Sequence, residues 1–287
     1  MKSVTMHVLA AACLSALAAP AMADAYSTVS FGNVTITLTD LNSGDGIAPS
    51  ITFLPNANQY EGNHIYGEAE SWAPRDTYLT MDHTSKVIGK SLSDTIDTGT
   101  AASSASIVGS SSGAGFSSMS LSASAASGVD AHGRYFGYAT VPFTVDNTSF
   151  ILSANTMVSF SAKAAINTDF TVGYTAGALE GEMAYGRLTL YAGGSNAGDA
   201  TDMEEQVQSV YYLDGGPSGA QSAQWNGTMT ASYSNLGSTS ATGQFYAEAE
   251  VGGRSVVLAA VPEPSSYAML LGGLAVMGAL ARRRKAS

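Results

Sequence analysis

The stretch VTITLT, residues 34–39, alternates apolar and hydroxylated side chains with a period of two. Successive side chains of a β-strand point to opposite faces, so Val34, Ile36 and Leu38 share one face and the threonines share the other. β-Branched residues are also enriched in strands. The stretch therefore predicts a strand with one buried face and one face of hydroxyl groups.

The same period of two recurs along most of the chain after this strand. Gly, Asn, Asp and Pro separate the apolar runs, and helical periodicity is rare. We expect further strands at residues 47–54, 64–70, 77–81, 133–145, 150–166, 182–192, 205–213, 224–234, 242–251 and 254–261. Short strands at this spacing are typical of an all-β protein. We predict a single β-sandwich or jelly-roll-like domain.

Three segments need a closer reading. Pro142 lies in the run 133–145, and because proline cannot donate to a strand ladder it predicts an edge strand or a β-bulge. The run DATDMEEQ, residues 199–206, is acidic and lacks β-branched residues after Thr201, so a helical turn is the alternative there. Residues 101–128 include 12 serines among 28 residues. Apolar residues interrupt this serine-rich stretch, which indicates one or two strands of small residues and a flexible loop.

The N-terminus has the organisation of a secretory signal peptide. Lys2 supplies a positive charge, residues 8–19 are apolar, and Ala21 and Ala23 form a small-x-small cleavage site. Cleavage after Ala23 by a signal peptidase would remove residues 1–23. The mature chain then begins at residue 24, on the far side of the inner membrane.

Composition excludes several classes of function. Cys13 is the single cysteine and lies in the signal peptide, so the mature chain has no disulfide, thiol nucleophile or thiolate metal site. Residues 24–261 contain 22 acidic against 7 basic residues, a net charge of 15 negative. Nucleic-acid binding requires a basic footprint, so we expect no nucleic-acid partner.

The C-terminus has three parts in a fixed order. Pro262, Glu263 and Pro264 come first, followed by 17 uncharged, mainly apolar residues at 265–281. That length is close to the lower limit for a membrane-spanning helix. A basic cluster then follows, and the positive-inside rule places it in the cytoplasm: Arg282, Arg283, Arg284 and Lys285.

This C-terminus resembles the PEP-CTERM sorting signal, which bacterial exported proteins carry and which membrane proteases called exosortases process. The resemblance covers residues 261–287. Residues 36–55 and 152–162 also resemble stretches that recur in one group of PEP-CTERM proteins. This likeness implies a shared fold and gives no activity to carry over.

The resemblance implies how the chain is divided into segments and how it is exported. Residues 1–23 are the signal peptide, residues 24–260 the β-sandwich domain, and residues 261–287 the sorting signal with its transmembrane helix. Signal peptidase and an exosortase are the implied partners, and the inner membrane holds the chain transiently. The destination is the cell surface or extracellular matrix of a Gram-negative bacterium. Exosortase systems accompany exopolysaccharide production, which makes exopolysaccharide a further candidate partner.

Paired carboxylates are the first candidates for chemistry. The sequence has three Glu-x-Glu pairs, and on a strand both members of a pair share a face, about 6.5–7 Å apart: Glu68/Glu70, Glu180/Glu182 and Glu248/Glu250. Glycosidases use carboxyl pairs at about 5–9.5 Å. Alternation with alanine and aromatic residues favours the other interpretation, a solvated face that aids solubility.

The acidic loop and the histidines give little evidence for a metal site or a catalytic site. Asp40, Asn42 and Asp45 begin like a calcium loop, but the glycine and the bidentate carboxylate of an EF-hand are missing, which favours a turn. The three histidines of the mature chain lack metal-ligand spacing and a neighbouring nucleophile motif: His64, His83 and His132. We expect no catalytic residue, no metal and no cofactor.

Two surfaces are candidates for binding. Trp72 and Trp225, with the tyrosines, could stack on sugar rings, although core packing is the commoner place for such aromatics. Thr35, Thr37 and Thr39 form a face similar to those of ice-binding proteins, although threonine is also common on the solvated side of strands.

The sequence thus predicts a non-enzymatic exported protein of the envelope or extracellular matrix, sorted and cleaved by an exosortase and associated with exopolysaccharide or biofilm. The alternative is a carbohydrate-binding module that acts on the exopolysaccharide itself. Ice binding and calcium binding are lesser alternatives.

Overall fold

The fold is described from a computed structural model. It describes residues 24–54, 62–73, 77–87, 91–109, 116–127, 131–143, 150–171, 181–194, 201–211 and 219–255, and Gly273. The signal peptide with Ala21 and Ala23, residues 256–261 of the strand expected at 254–261, and most of the tail therefore lie outside the described residues. All the described strands belong to one compact unit, Met22–Val257.

Fifteen strands account for most of the described residues. In chain order they are β1 (Asp24–Phe31), β2 (Thr35–Asp40), β3 (Ile51–Phe53), β4 (Gly62–Ala73), β5 (Thr77–Val87), β6 (Leu92–Asp97), β7 (Ala101–Gly109), β8 (Phe116–Ala126), β9 (His132–Phe143), β10 (Phe150–Leu152), β11 (Thr156–Phe170), β12 (Met183–Gly194), β13 (Thr201–Tyr211), β14 (Gln221–Asn235) and β15 (Ala241–Arg254). The all-β prediction is confirmed.

The strands form two antiparallel sheets. Sheet A has the order β14-β11-β1-β8-β7-β6, and β2 continues the line of β1 along β11. Sheet B has the order β13-β12-β15-β9-β4-β5, and β10 joins β15 to β3. The sheets pack face to face, since β1 contacts β12 and β15 while β8 contacts β15 and β9. The described residues thus form a β-sandwich with its core between the sheets.

Aromatic side chains fill one end of this core. Phe160 of β11 is fully buried and stacks on Phe245 of β15, with ring centroids 4.3 Å apart. Phe150 of β10 lies 5.6 Å from Phe160 and 6.2 Å from Tyr233 of β14. Elsewhere the inner faces carry many alanines, so the two sheets can approach closely.

A buried hydrogen bond joins the sheets at the other end of the core. The hydroxyl oxygens of Ser27 on β1 and Tyr135 on β9 lie 2.7 Å apart. Burial raises the pKa of Tyr135 well above its usual value, so the phenol stays protonated. The bond satisfies two polar groups that would otherwise be costly to bury.

The chain enters and leaves the sandwich at this same end. The backbone N–H of Asp24 donates to the Thr171 hydroxyl at 2.9 Å, which fixes the start of β1. After β15, the backbone N–H of Ser255 donates to the Gly133 carbonyl at 3.0 Å, and the N–H of Gly133 donates to the Ser255 hydroxyl. β1 and β15 are central strands of their sheets, so both ends of the domain are anchored in the core.

The strand expected at 150–166 is two strands. Leu152 ends β10 in sheet B and Thr156 begins β11 in sheet A. The chain crosses between the sheets at Asn155, which has a φ of 46°. This left-handed conformation is more accessible to asparagine than to most other residues. The spacing of apolar residues in this run places five of them on one face of β11, and this face is buried: Val158, Phe160, Ala162, Ala164 and Ile166.

Other local expectations meet different outcomes. A helical turn after residue 199 is wrong, because β13 begins at Thr201 and pairs with β12. Pro142 does not lie on an edge strand, because β9 lies between β15 and β4, and the β9–β15 ladder ends at Val141. The bulge alternative is confirmed: the β4–β9 register shifts where Gly62 pairs with Phe143 and His64 with Thr140. The serine-rich stretch contains two paired strands, β7 and β8.

None of the described residues belongs to a helix that is long and apolar enough to cross a membrane.

Candidate functional site

The sorting residues predicted from the sequence lie outside the described part of the chain: Pro262, Glu263, Pro264, Arg282, Arg283, Arg284 and Lys285. Their processing roles therefore stay predictions. Within the sandwich, a different group of residues forms a candidate site.

The outer face of sheet B carries half-buried aromatic side chains on four adjacent strands. Strand alternation places them there because their sequence neighbours face the core. They are Tyr66 and Trp72 of β4, Phe136 and Tyr138 of β9, Tyr246 of β15, and Tyr185 and Tyr191 of β12. Tyr191 stacks on Tyr246 with centroids 4.7 Å apart, and Tyr66 lies 6.0 Å from Phe136. We call this surface the aromatic face.

The outer face of sheet A has a contrasting composition. Cross-strand neighbours there form rows of hydroxyl groups, such as Thr28 of β1, Ser122 of β8, Ser104 of β7 and Thr95 of β6. The two outer faces are thus chemically distinct. Tyr26 of β1, 36% exposed, supplies an aromatic residue on the hydroxyl side.

The carboxylates of the aromatic face are not a solvated stripe, which corrects the interpretation favoured from the sequence. The side chains of Glu248 and Glu250 are 20% and 15% exposed. Arg187 of β12 ion-pairs with both, at 2.9 Å to Glu248. Tyr138 donates to Glu248 at 3.1 Å and Tyr185 donates to Glu250 at 2.7 Å.

Glu68 and Glu70 of β4 are held in a similar way. Tyr66 donates to Oε2 of Glu68 at 2.5 Å, and the indole N–H of Trp72 donates to Oε2 of Glu70 at 2.8 Å. The Arg134 guanidinium lies 4.5 Å from the centre of the Trp72 ring, within the range of a cation–π contact. Of the third pair, Glu182 is 1% exposed and Glu180 lies outside the described residues.

A groove crosses one end of the aromatic face. Its volume is about 250 Å³. It runs across β4, β9, β15 and β12, and its lining includes Glu68, Glu70, Arg134, Phe136, Tyr185 and Arg254. Gly252 forms part of the floor, because a Cβ at this position would overlap the Tyr185 ring. The groove therefore combines carboxylates, guanidinium groups and aromatic rings in one concave surface.

The carboxylates affect the tyrosines beside them. The hydrogen bond to Glu68 raises the pKa of Tyr66 to about 12. Burial, followed by the charge of Glu248, raises the pKa of Tyr138 to about 12. Burial and the hydrogen bond to Glu250 raise the pKa of Tyr185 further. These phenols therefore remain hydrogen-bond donors across the physiological pH range.

Replacing Tyr66 with phenylalanine should change the alkaline titration of the protein. A phenol with a raised folded-state pKa stabilises the fold below pH about 10, and this contribution is lost as the pH rises towards about 12. Tyr66→Phe should therefore remove one tyrosinate from the latest phase of the absorbance titration. The free energy of unfolding of the variant should also fall less steeply than that of the wild-type protein between pH about 10 and about 12.

Glu68→Gln is the matched variant, because it keeps the Tyr66 ring and removes the charge. It should lower the pKa of the Tyr66 phenol, because the hydrogen bond to the charged carboxylate is what raises it. An unchanged late phase in both variants would contradict the Tyr66–Glu68 hydrogen bond.

The acidic loop proposed as a calcium motif uses its oxygens within the loop. Asp40 accepts from the N–H of Asn42 at 2.9 Å, and Asp45 accepts from the N–H of Ile47 at 2.7 Å and the Asn155 amide at 2.7 Å. The bonds from Ile47 and then Asn155 lower the pKa of Asp45. Across the described residues, no cluster of three or more His, Cys, Asp or Glu could hold a metal ion.

The remaining candidates are dispersed. Trp72 lies on the aromatic face, whereas Trp225 of sheet A packs partly against the core, so the two tryptophans do not form one surface. His64 makes an edge contact with Tyr138 at 6.0 Å, and burial lowers its pKa. His132 is 9% exposed at the start of β9. The side chain of His83 lies outside the described residues.

The sequence pattern identified Trp72 and the Glu pairs and placed Tyr66 on the face of Glu68 and Glu70. It did not identify the neighbours on other strands: Phe136, Tyr138, Tyr185 and Arg187. Glu68 and Glu70 each alternate with an aromatic residue two positions away, which is a signal available in the sequence. The contacts of Arg187 with β15 had no such local signal.

The fold and this surface define an all-β sandwich with one aromatic outer face. Comparison with protein families adds the export route: residues 260–285 match the PEP-CTERM protein-sorting motif. The chain therefore carries a PEP-CTERM sorting motif near its C-terminal end, and this motif implies an exported protein that is sorted by an exosortase through a transient membrane anchor. No curated protein matches the chain.

Proposed function

We propose that this protein is a non-enzymatic component of the cell envelope or extracellular matrix that binds exopolysaccharide through its aromatic face. The exosortase route delivers it outside the inner membrane, and its final place is the cell surface or the matrix. This proposal combines the two functions predicted from the sequence. The sorting signal accounts for export, and the mature domain binds the carbohydrate.

One observation carries the proposal: the aromatic side chains of the described sandwich surface are concentrated on the outer face of sheet B. The C–H faces of a sugar ring pack on aromatic rings, while its hydroxyls donate to carboxylates and accept from guanidinium groups. The aromatic face offers both kinds of contact on adjacent strands. The hydroxyl-rich outer face of sheet A offers few such rings.

The geometry of the carboxylates supports binding over hydrolysis. A glycosidase directs two carboxyl groups at one glycosidic bond. Glu248 and Glu250 are both directed at Arg187, and Glu68 and Glu70 accept from neighbouring aromatic donors. The carboxylates thus act as hydrogen-bonding groups of a fixed surface.

The test is retention of the exported mature protein in native gels that contain polysaccharide. Trp72→Ala should weaken retention about tenfold, equivalent to about 1.4 kcal/mol, which is the size expected for one aromatic contact. Tyr26→Ala is the control, since it removes an aromatic residue from the outer face of sheet A. Thermal melts should show that both variants are folded.

Equal retention of the wild-type protein and Trp72→Ala would count against the aromatic face as the binding surface. So would an equal loss in Tyr26→Ala.

A further inference from the structure

The groove at one end of the aromatic face has the size of a single-residue sugar site. Its volume of about 250 Å³ is below the roughly 300–1,000 Å³ of sites that enclose drug-sized ligands. It is open along the face, so the neighbouring units of a polymer could continue over the adjacent aromatic rings. The groove is thus suited to one ring within a chain.

The charges in the groove balance. Glu68 and Glu70 contribute two negative charges, and Arg134 and Arg254 contribute two positive ones. Both arginines are already engaged: Arg254 donates to the Gly181 carbonyl at 2.9 Å and Arg134 lies over Trp72. A ligand carboxylate would meet the two fixed carboxylates as well as the two guanidinium groups, and residues 24–261 carry a net charge of 15 negative, which disfavours an acidic ligand.

The two glutamates offer acceptors to a neutral sugar. In each, Oε2 accepts from an aromatic donor, and this bond fixes the orientation of the carboxylate. The bonds from Tyr66 and Trp72 both use Oε2, and each carboxylate has a second oxygen that can accept. Side chains two positions apart on a strand are about 6.5–7 Å apart, a separation that lets both carboxylates contact hydroxyls of one pyranose ring.

Two aromatic rings lie on the side of the groove away from Glu68 and Glu70, next to Arg254. Gly252 lacks a side chain, so the Tyr185 ring lies over the backbone of β15, with Phe136 on the neighbouring strand β9. A sugar ring seated there would place its C–H groups on aromatic rings and its hydroxyls towards β4. This arrangement would set the two glutamates and the two aromatic rings on different sides of the sugar.

We infer that this groove, formed by β4, β9, β15 and β12, binds one pyranose unit of an uncharged polysaccharide. The inference rests on the proposed function and narrows it to a class of ligand. Glu68 and Glu70 accept hydrogen bonds from the sugar hydroxyls, and Phe136 and Tyr185 contact its C–H face.

The experiment compares a neutral glucan, dextran, with an acidic uronate polymer, alginate, in affinity gels at several salt concentrations. The exported mature protein should be retarded by dextran with little dependence on salt, and not by alginate. Glu70→Gln should weaken dextran binding several-fold, because an amide is a weaker acceptor than a carboxylate. Asp82→Asn changes an exposed carboxylate outside the groove and should leave binding unchanged.

The outcomes separate the two proposals. Retention by alginate alone, lost in Trp72→Ala, would overturn the neutral-ligand inference and leave the proposed function standing. Retention by neither polymer class would overturn the proposed function and the inference with it. Dextran binding unaffected by Glu70→Gln and Glu68→Gln would place the sugar outside the groove.

Discussion

Replacing Phe160 with alanine is expected to lower the free energy of unfolding by about 3–5 kcal/mol. Phe160 is fully buried and lies between Phe245 and Phe150, with ring centroids at 4.3 and 5.6 Å. The substitution removes the transfer free energy of the ring and leaves a cavity that the two sheets cannot close, since both are held by long ladders. The melting temperature should fall by roughly 6–20 °C for a domain of this size.

Ser159→Ala is the matched control, because Ser159 is the preceding residue of β11 and faces the outer side of sheet A. It should change the unfolding free energy by less than about 0.5 kcal/mol. Urea unfolding of the mature protein measures both values. A loss below about 1 kcal/mol for Phe160→Ala would contradict a core packed around these aromatic rings.

Replacing Glu263 with alanine is expected to abolish release of the mature protein while leaving export intact. Pro262 and Pro264 favour an extended backbone, which a membrane-embedded protease can hold, and Glu263 supplies the charged group between them. The uncleaved precursor should remain in the inner membrane. Intact mass and cell fractionation, in cells with and without their exosortase, measure the effect.

The end of the folded domain lies close in sequence to the triplet, so the prediction can be tested with a change confined to the tail. Ser255 is anchored to Gly133 at the end of β15, and the Pro262 triplet begins seven residues later. Ser266→Ala, a small change in the same tail, is the control and should be released like the wild-type protein. Release of Glu263→Ala at the wild-type mass would count against the role of the triplet.

Period-two patterns predicted the strands well because alternation is a local property of the backbone. The face Val158, Phe160, Ala162, Ala164 and Ile166 was identified from spacing and is buried in the core. The patterns could not find the break at Asn155, since a single left-handed residue moves the chain from sheet B to sheet A without altering composition. The helical turn considered for residues 199–206 was wrong for a related reason. Pairing of β13 with β12 overrides the weak local strand propensity of this acidic run.

The sequence by itself determined the all-β class, the absence of cysteine after Cys13 and the sorting motif, because each depends on residue type and local order. The tertiary structure decided which strands are neighbours, and with them the aromatic face. Arg187 lies beside Glu248 and Glu250 because β12 pairs with β15, more than fifty residues further along the chain. Alternation shows that a strand has two faces, but only strand pairing shows which side chains share one of them.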